Sequence, residues 1–197
     1  MFNHVISNWK RYGVGNYTWN QLVARAAELP VIVYSKGPSF NSEFDQTPYA
    51  DHFKIGVNQA GLEVKNVDVI IGRDLGIREL IIEQGFCGPI ITAMKPEWLE
   101  TWETNARSGY EFVIRVMGEM GIKEFDVIGH DHEGFYGFDY PKSYPDQDEP
   151  AEEKLKTLPR VEPAIQAAID KYEFKINNLA PVKEKKVKKP RRKKVEL

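Results

Sequence analysis

The chain is poor in the features that announce a specialised class of protein. It has one cysteine, Cys87, in 197 residues, so no internal disulfide is available and a reducing compartment, the cytoplasm, is the expectation. No stretch approaches the roughly 20 apolar residues of a membrane span. The opening Met-Phe-Asn-His-Val-Ile-Ser-Asn-Trp-Lys lacks the basic start and apolar run of a secretory signal. There is no internal repeat, no zinc-ligand spacing, no Ser-His-Asp order and no glycine-rich dinucleotide fingerprint. Gly37-Pro38-Ser39 is not a P-loop either, because the glycine spacing and the following Lys-Ser/Thr are missing.

What is there is an ordinary globular composition, 42% hydrophobic and 28% charged, with the charge unevenly placed. From Lys183 onward nine basic residues face only Glu184 and Glu196, a net +7, which leaves −9 for the rest of a chain whose total is −2. Such a tail, expected to be disordered over 181–197, suits a nucleic acid or another polyanion, and equally serves as a solubilising arm.

The hydrophobic pattern alternates helix and strand. A helix is predicted from Thr18 to Leu29, stopped by Pro30, and strands over Val31–Tyr34, Phe53–Val57, Val67–Ile71, Pro89–Thr92 and Phe125–Ile128. A helical segment runs up to Glu83. Tyr110, Val113, Ile114 and Met117 share one helical face between Gly109 and Met120, with Ser108 and Glu111 as a capping box and Gly121 as the stop. A last helix is expected over Val161–Tyr172 and a last strand over Phe174–Asn178. Residues 132–150, rich in Gly, Pro, aromatic and acidic residues without a period, read as a lid or binding loop. The expected architecture is therefore an N-terminal helical extension (1–29), a Rossmann-like domain (30–180) with a mainly parallel sheet and helices on both faces, and the tail.

In such folds ligands bind beyond the carboxyl ends of the strands. Polar clusters fall there after four predicted strands: Gly37-Pro38-Ser39, Asn58-Gln59, Arg73-Asp74 and His130-Asp131. Gly37 permits a tight turn and close approach, while Ser39 offers a hydroxyl and an amide, or caps a following helix. Asn58 and Gln59 carry the donors and acceptors needed for a base edge or sugar, or they cap the next helix. Asp74 and Asp131 suit ribose hydroxyls or local capping better than a metal. Ser108-Gly109 opens a helix, where free amides receive a phosphate, although Glu111 opposes an anion there. His130 and His132 are acid/base candidates because imidazole titrates near neutrality. Tyr136, Tyr140 and Tyr144 line a pocket or pack the lid.

Taken in order, Val-Ile-Val-Tyr-Ser-Lys-Gly-Pro-Ser (31–39), Gly-Val-Asn-Gln (56–59), Ala-Arg-Ser-Gly-Tyr (106–110) and Gly-Ile-Lys-Glu-Phe-Asp-Val-Ile-Gly-His-Asp (121–131) resemble the bacterial sialyltransferases of glycosyltransferase family forty-two and their motility-associated Gly-Pro-Ser relatives. The likeness continues through Tyr136-Gly137-Phe138-Asp139. It implies a Rossmann-like sheet and metal-independent sugar transfer from a CMP-type donor as co-substrate, with no other cofactor. Gly37, Pro38, Ser39, Asn58, Gln59, Ser108, Gly109 and Asp131 would then line the nucleotide pocket, and Tyr136 would bond the leaving phosphate. No histidine follows His132, and Glu133 stands where the family carries a second tyrosine, so His132 or Glu133 becomes the candidate base. Two alternatives stay open: a nucleotide or nucleotide-sugar binder without turnover, and a pterin or nucleotide phosphotransferase whose Asp74 and Asp131 hold magnesium.

Overall fold

The structure, a computed structural model, describes residues 19–72, 75–92, 108–131 and 151–180. Six parallel strands form one sheet: β1 (Val31–Tyr34), β2 (Phe53–Val57), β3 (Val69–Gly72), β4 (Ile90–Thr92), β5 (Glu124–Ile128) and β6 (Lys175–Asn178). Their spatial order is β4-β3-β2-β1-β5-β6, so the chain builds outward from β1 in one direction and then returns to its other side. Among the described residues the helices are α1 (Trp19–Glu28), α2 (Leu75–Glu83), α3 (Gly109–Glu119) and α4 (Ala151–Tyr172). This is the expected α/β, Rossmann-like architecture.

Strands β1 to β4 are buried along their whole length, which explains why β1, β3 and β4 read as mostly β-branched apolar runs rather than alternating ones. Val31, Val33, Phe53, Ile55 and Val57 point to the larger core, where they meet Trp19, Leu22 and Ala26 of α1, Val113, Ile114 and Met117 of α3, and Ile165 and Ala168 of α4. Helix α1 is thus part of the domain's packing. On the opposite face Ile32 and Tyr34 meet Phe40, Ala60 and Val64 from the short segments after β1 and β2, while Ile70 meets Ile81 of α2. With long helices on one face and mostly short turns on the other, the edge between β1 and β5 is where the sense of winding reverses.

Some boundaries differ from the sequence reading. β3 begins at Val69 rather than Val67, because Asp68 is drawn out of the strand: its carboxylate accepts the Lys54 amide at 2.8 Å and the Arg25 Nε at 2.7 Å. Helix α4 begins at Ala151, ten residues before the predicted start. Pro159 lies inside it and removes a backbone donor, which is why the local pattern placed the start after it, while Pro163 falls within the predicted helix as well as the observed one. Helix α3 and its cap match: Ser108 Oγ accepts the Glu111 amide at 3.0 Å, and Gly121, with φ of +81°, follows the last turn.

Candidate functional site at the β1–β5 edge

β1 ends at Tyr34 and β5 at Ile128, and the ladder continues past both when the Ser35 amide donates to Ile128 O at 2.8 Å. The Gly37 amide then donates to Gly129 O at 2.7 Å. This approach leaves no room for a side chain on either glycine. A Cβ on Gly37 would stand 2.5 Å from Gly129 O and 2.6 Å from Asp131 Oδ2. One on Gly129, whose φ is +78°, would collide with Ser35 O. Gly129 was not singled out from sequence, although a glycine closing a strand beside His-Asp was the available signal.

Ser39 fastens the two segments. Its amide donates to Asp131 Oδ2 at 2.7 Å, and its Oγ accepts the Gly129 amide at 2.8 Å. The expected helix cap at Ser39 is absent because no helix follows: Phe40 bonds back to Gly37 O, and Pro38 O takes the Asn41 side chain. Ser39 therefore spends its amide and one hydroxyl lone pair within the protein, while Asp131 Oδ1 accepts no hydrogen bond among the described residues.

At the end of β2, Asn58 adopts the left-handed region, with φ of +54°, and opens a 3₁₀ turn over Asn58–Glu63. Its Oδ1 is buried without a partner, and its Nδ2 lies 3.2 Å from where a Cβ on Gly109 would sit. Gln59 is buried and accepts Lys36 Nζ at 3.3 Å. At the start of α3, Tyr110 stacks on His130, with ring centroids 3.7 Å apart and planes 19° from parallel. Burial pushes the Tyr110 phenol above its ordinary range, so it stays protonated at neutral pH. The next residue, Glu111, is fully buried and takes Arg115 Nη2 at 2.6 Å, an ion pair that neutralises a carboxylate at the head of the helix.

These contacts close into a circuit. Asn58 adjoins Gly109, Tyr110 stacks on His130, Asp131 binds Ser39, and Lys36 returns to Gln59 beside Asn58. Gly37, Pro38, Ser39, Asn58, Gln59, Ser108, Gly109 and Asp131 thus gather on the carboxyl edge of β1, β2 and β5, with the Ser108 hydroxyl turned to capping. Lys36, Tyr110 and His130 complete the circuit. The sequence shows Lys36 and Tyr110 inside the same motifs, but neither carries a mark of its own. Asp74, His132, Glu133, Tyr136, Tyr140, Tyr144 and the 181–197 tail lie outside the described residues. Among the described residues no group of three or more His, Cys, Asp or Glu side chains is placed to hold a metal ion, and no helix is long and apolar enough to cross a membrane.

Comparison of the chain with protein-family models, with curated proteins and with solved structures finds no match in any of the three.

Proposed function

We propose that the chain binds a nucleotide-activated sugar of CMP type at the β1–β5 edge and transfers the sugar to an acceptor hydroxyl. The observation that carries this reading is the circuit of contacts around that edge. It combines a turn too tight for side chains, an Asp131 oxygen that accepts no hydrogen bond among the described residues, and an Asn58 carbonyl buried without a partner. A buried polar atom of that kind is costly unless something pairs with it, and a base edge or ribose does so. The resemblance of the ordered motifs to those of glycosyltransferase family forty-two is what points to this reaction type.

In this reading the bond between the anomeric carbon and the donor phosphate oxygen breaks as the acceptor oxygen bonds to that carbon. Tyr136 donates a hydrogen bond to the departing phosphate, where negative charge develops. The acceptor's proton passes to His132 or Glu133. The step needs no metal. Strand β6 ends at Asn178 on the same carboxyl edge, and we assign the +7 segment from Lys183 onward a polyanionic partner such as nucleic acid.

Thermal shift against CMP, UMP, UDP, GDP and ATP, with and without magnesium, tests the reading. A ligand at 100 times its dissociation constant stabilises by about 2.7 kcal/mol. Stabilisation by CMP without magnesium, together with slow hydrolysis of a CMP-sugar, supports transfer. Stabilisation without hydrolysis leaves a binding protein, and a response to ATP that requires magnesium replaces the reading with phosphoryl transfer. Deleting the residues after Ala180 is expected to abolish salt-sensitive binding to DNA or RNA.

A further inference from the structure

We propose that strand β6 pairs with β6 of a second copy of the chain, antiparallel about a two-fold axis, and so joins two six-stranded sheets into one. The two edges of the sheet differ. β4, at one end, is buried over its whole length, whereas β6, at the other, has Lys175, Asn177 and Asn178 exposed and Ile176 half-buried. Within β6 the odd-numbered residues turn to β5: the Lys175 amide donates to Lys123 O and the Leu179 amide to Val127 O, both at 2.8 Å. A residue's N–H and C=O leave a strand on the same side, so those of Ile176 and Asn178 turn outward. These outward groups have no hydrogen-bond partner among the described residues. An open row of this kind is a template for another strand. Proline, a usual protection of such edges, is missing from 174–180, where Lys175 is the one charged residue.

A second copy is the occupant that this edge fits. In the antiparallel register that sets Ile176 opposite the partner's Asn178, every outward amide meets an outward carbonyl, and the two-fold axis passes beside Asn177. Asn177 donates its Nδ2 to Asp126 Oδ1 at 2.9 Å, which fixes the amide over the sheet face and leaves its Oδ1 without a hydrogen bond among the described residues. Facing the partner's Asn177, that amide finds both a donor and an acceptor. The same register places Lys175 opposite the partner's Leu179, so like charges do not meet. Charge also sets the direction, because the +7 segment from Lys183 onward follows β6 closely in sequence. Antiparallel pairing holds the two Ala180 positions roughly 20 Å apart, whereas parallel pairing would set them on adjacent strands about 5 Å apart. Because the paired strands run oppositely, the two carboxyl edges lie on opposite rims of the joined sheet.

Sedimentation velocity on the full chain tests the pairing. A short strand pair buries less than the roughly 1,200 Å² of a stable interface, so the mass is expected to climb from 22.6 kDa toward twice that value only above about 10 µM. Asn177→Lys sets two like charges face to face on the axis and is expected to weaken association at least about tenfold, with an unchanged melting curve at low concentration. In a Cys87→Ser background, Asn177→Cys is expected to cross-link to its own counterpart on mild oxidation. Residues opposite each other at such a non-hydrogen-bonded position stand about 4.5 Å apart at Cα, within disulfide reach. Lys175→Cys, whose counterpart lies about four residues further along the strand, is expected not to cross-link. Deleting the residues after Ala180 is expected to leave the dimer intact. A wild type that stays monomeric up to about 500 µM overturns the proposal. Equal cross-linking of the two cysteine variants, or a dimer that the deletion abolishes, overturns it as well.

Discussion

Asp131 and Ser39 meet across 92 positions of chain, carboxylate to backbone amide, at 2.7 Å. Through this bond the segment after β5 dictates the shape of the turn after β1. Asp131→Ala removes the acceptor and leaves the Ser39 amide part-buried without it, at a cost of about 1–3 kcal/mol. Asp131→Asn keeps an oxygen in place and is expected to retain most of the stability. Urea unfolding of both variants measures the difference, and a ligand-free Asp131→Ala as stable as wild type removes the fastening role.

Gly37→Ala is the sharpest steric probe of the site. Its new methyl would meet the Gly129 carbonyl and the Asp131 carboxylate at about 2.5 Å, contacts that only a backbone shift relieves. Overpacking of this kind costs roughly 1–3 kcal/mol, and the nucleotide-induced shift in Tm is expected to vanish with it. A Gly37→Ala protein that responds normally to nucleotides would show that the ligand sits elsewhere.

Tyr34 gives a pH signature. It lies in the core with its hydroxyl unpartnered, and burial, aided by the neighbouring Tyr49, raises its phenol well above the ordinary value. A raised folded-state value means that this contribution to stability is complete below the unfolded value of about 10 and is lost as pH climbs beyond it. Tyr110 behaves likewise. Wild type is expected to lose stability steeply above pH 10, and Tyr34→Phe to soften that loss while remaining within about 1 kcal/mol of wild type at pH 7, because no bond is removed. Melting curves from pH 7 to 11.5 decide the matter; a strongly destabilised Tyr34→Phe means that the hydroxyl has a partner.

Arg115→Leu removes the ion pair with the buried Glu111 carboxylate at the head of α3. Leaving a buried charge without its partner costs about 3–5 kcal/mol, and Glu111→Leu in the same chain is expected to recover much of it. Chemical denaturation of the single and double variants reads the coupling, and additive losses would mean that the two side chains act independently.

The sheet was legible because its central strands are buried on both faces, so Val31 to Tyr34 carries an unbroken apolar run, while Phe53, Ile55 and Val57 mark the second strand at a period of two. The carboxyl-edge clusters were legible because strand ends fix where polar residues must surface. The fastening of Ser39 was not, since its partners Gly129 and Asp131 are brought to it by tertiary pairing alone. The start of α4 was hidden for a local reason. Pro159 argues locally against a helix running through it, so the stretch before Val161 did not read as one. Lys36 drew no notice because a lysine after a strand is ordinary until the buried Gln59 is seen to hold it.

The placement of β1 between β2 and β5 has a kinetic consequence. Val33 pairs with Ile55 on one side and with Val127 on the other, so its two neighbours are separated from it by a short and a very long loop. Closing the longer loop costs more entropy, and pairings of high sequence separation form slowly. The β1–β2–β3 half is free to assemble before β5 is in place. A chain emerging from the ribosome lacks the β1–β5 edge until residue 131 is free of the tunnel, and on the proposed reading ligand capture during refolding is expected to rise with the last phase rather than the first.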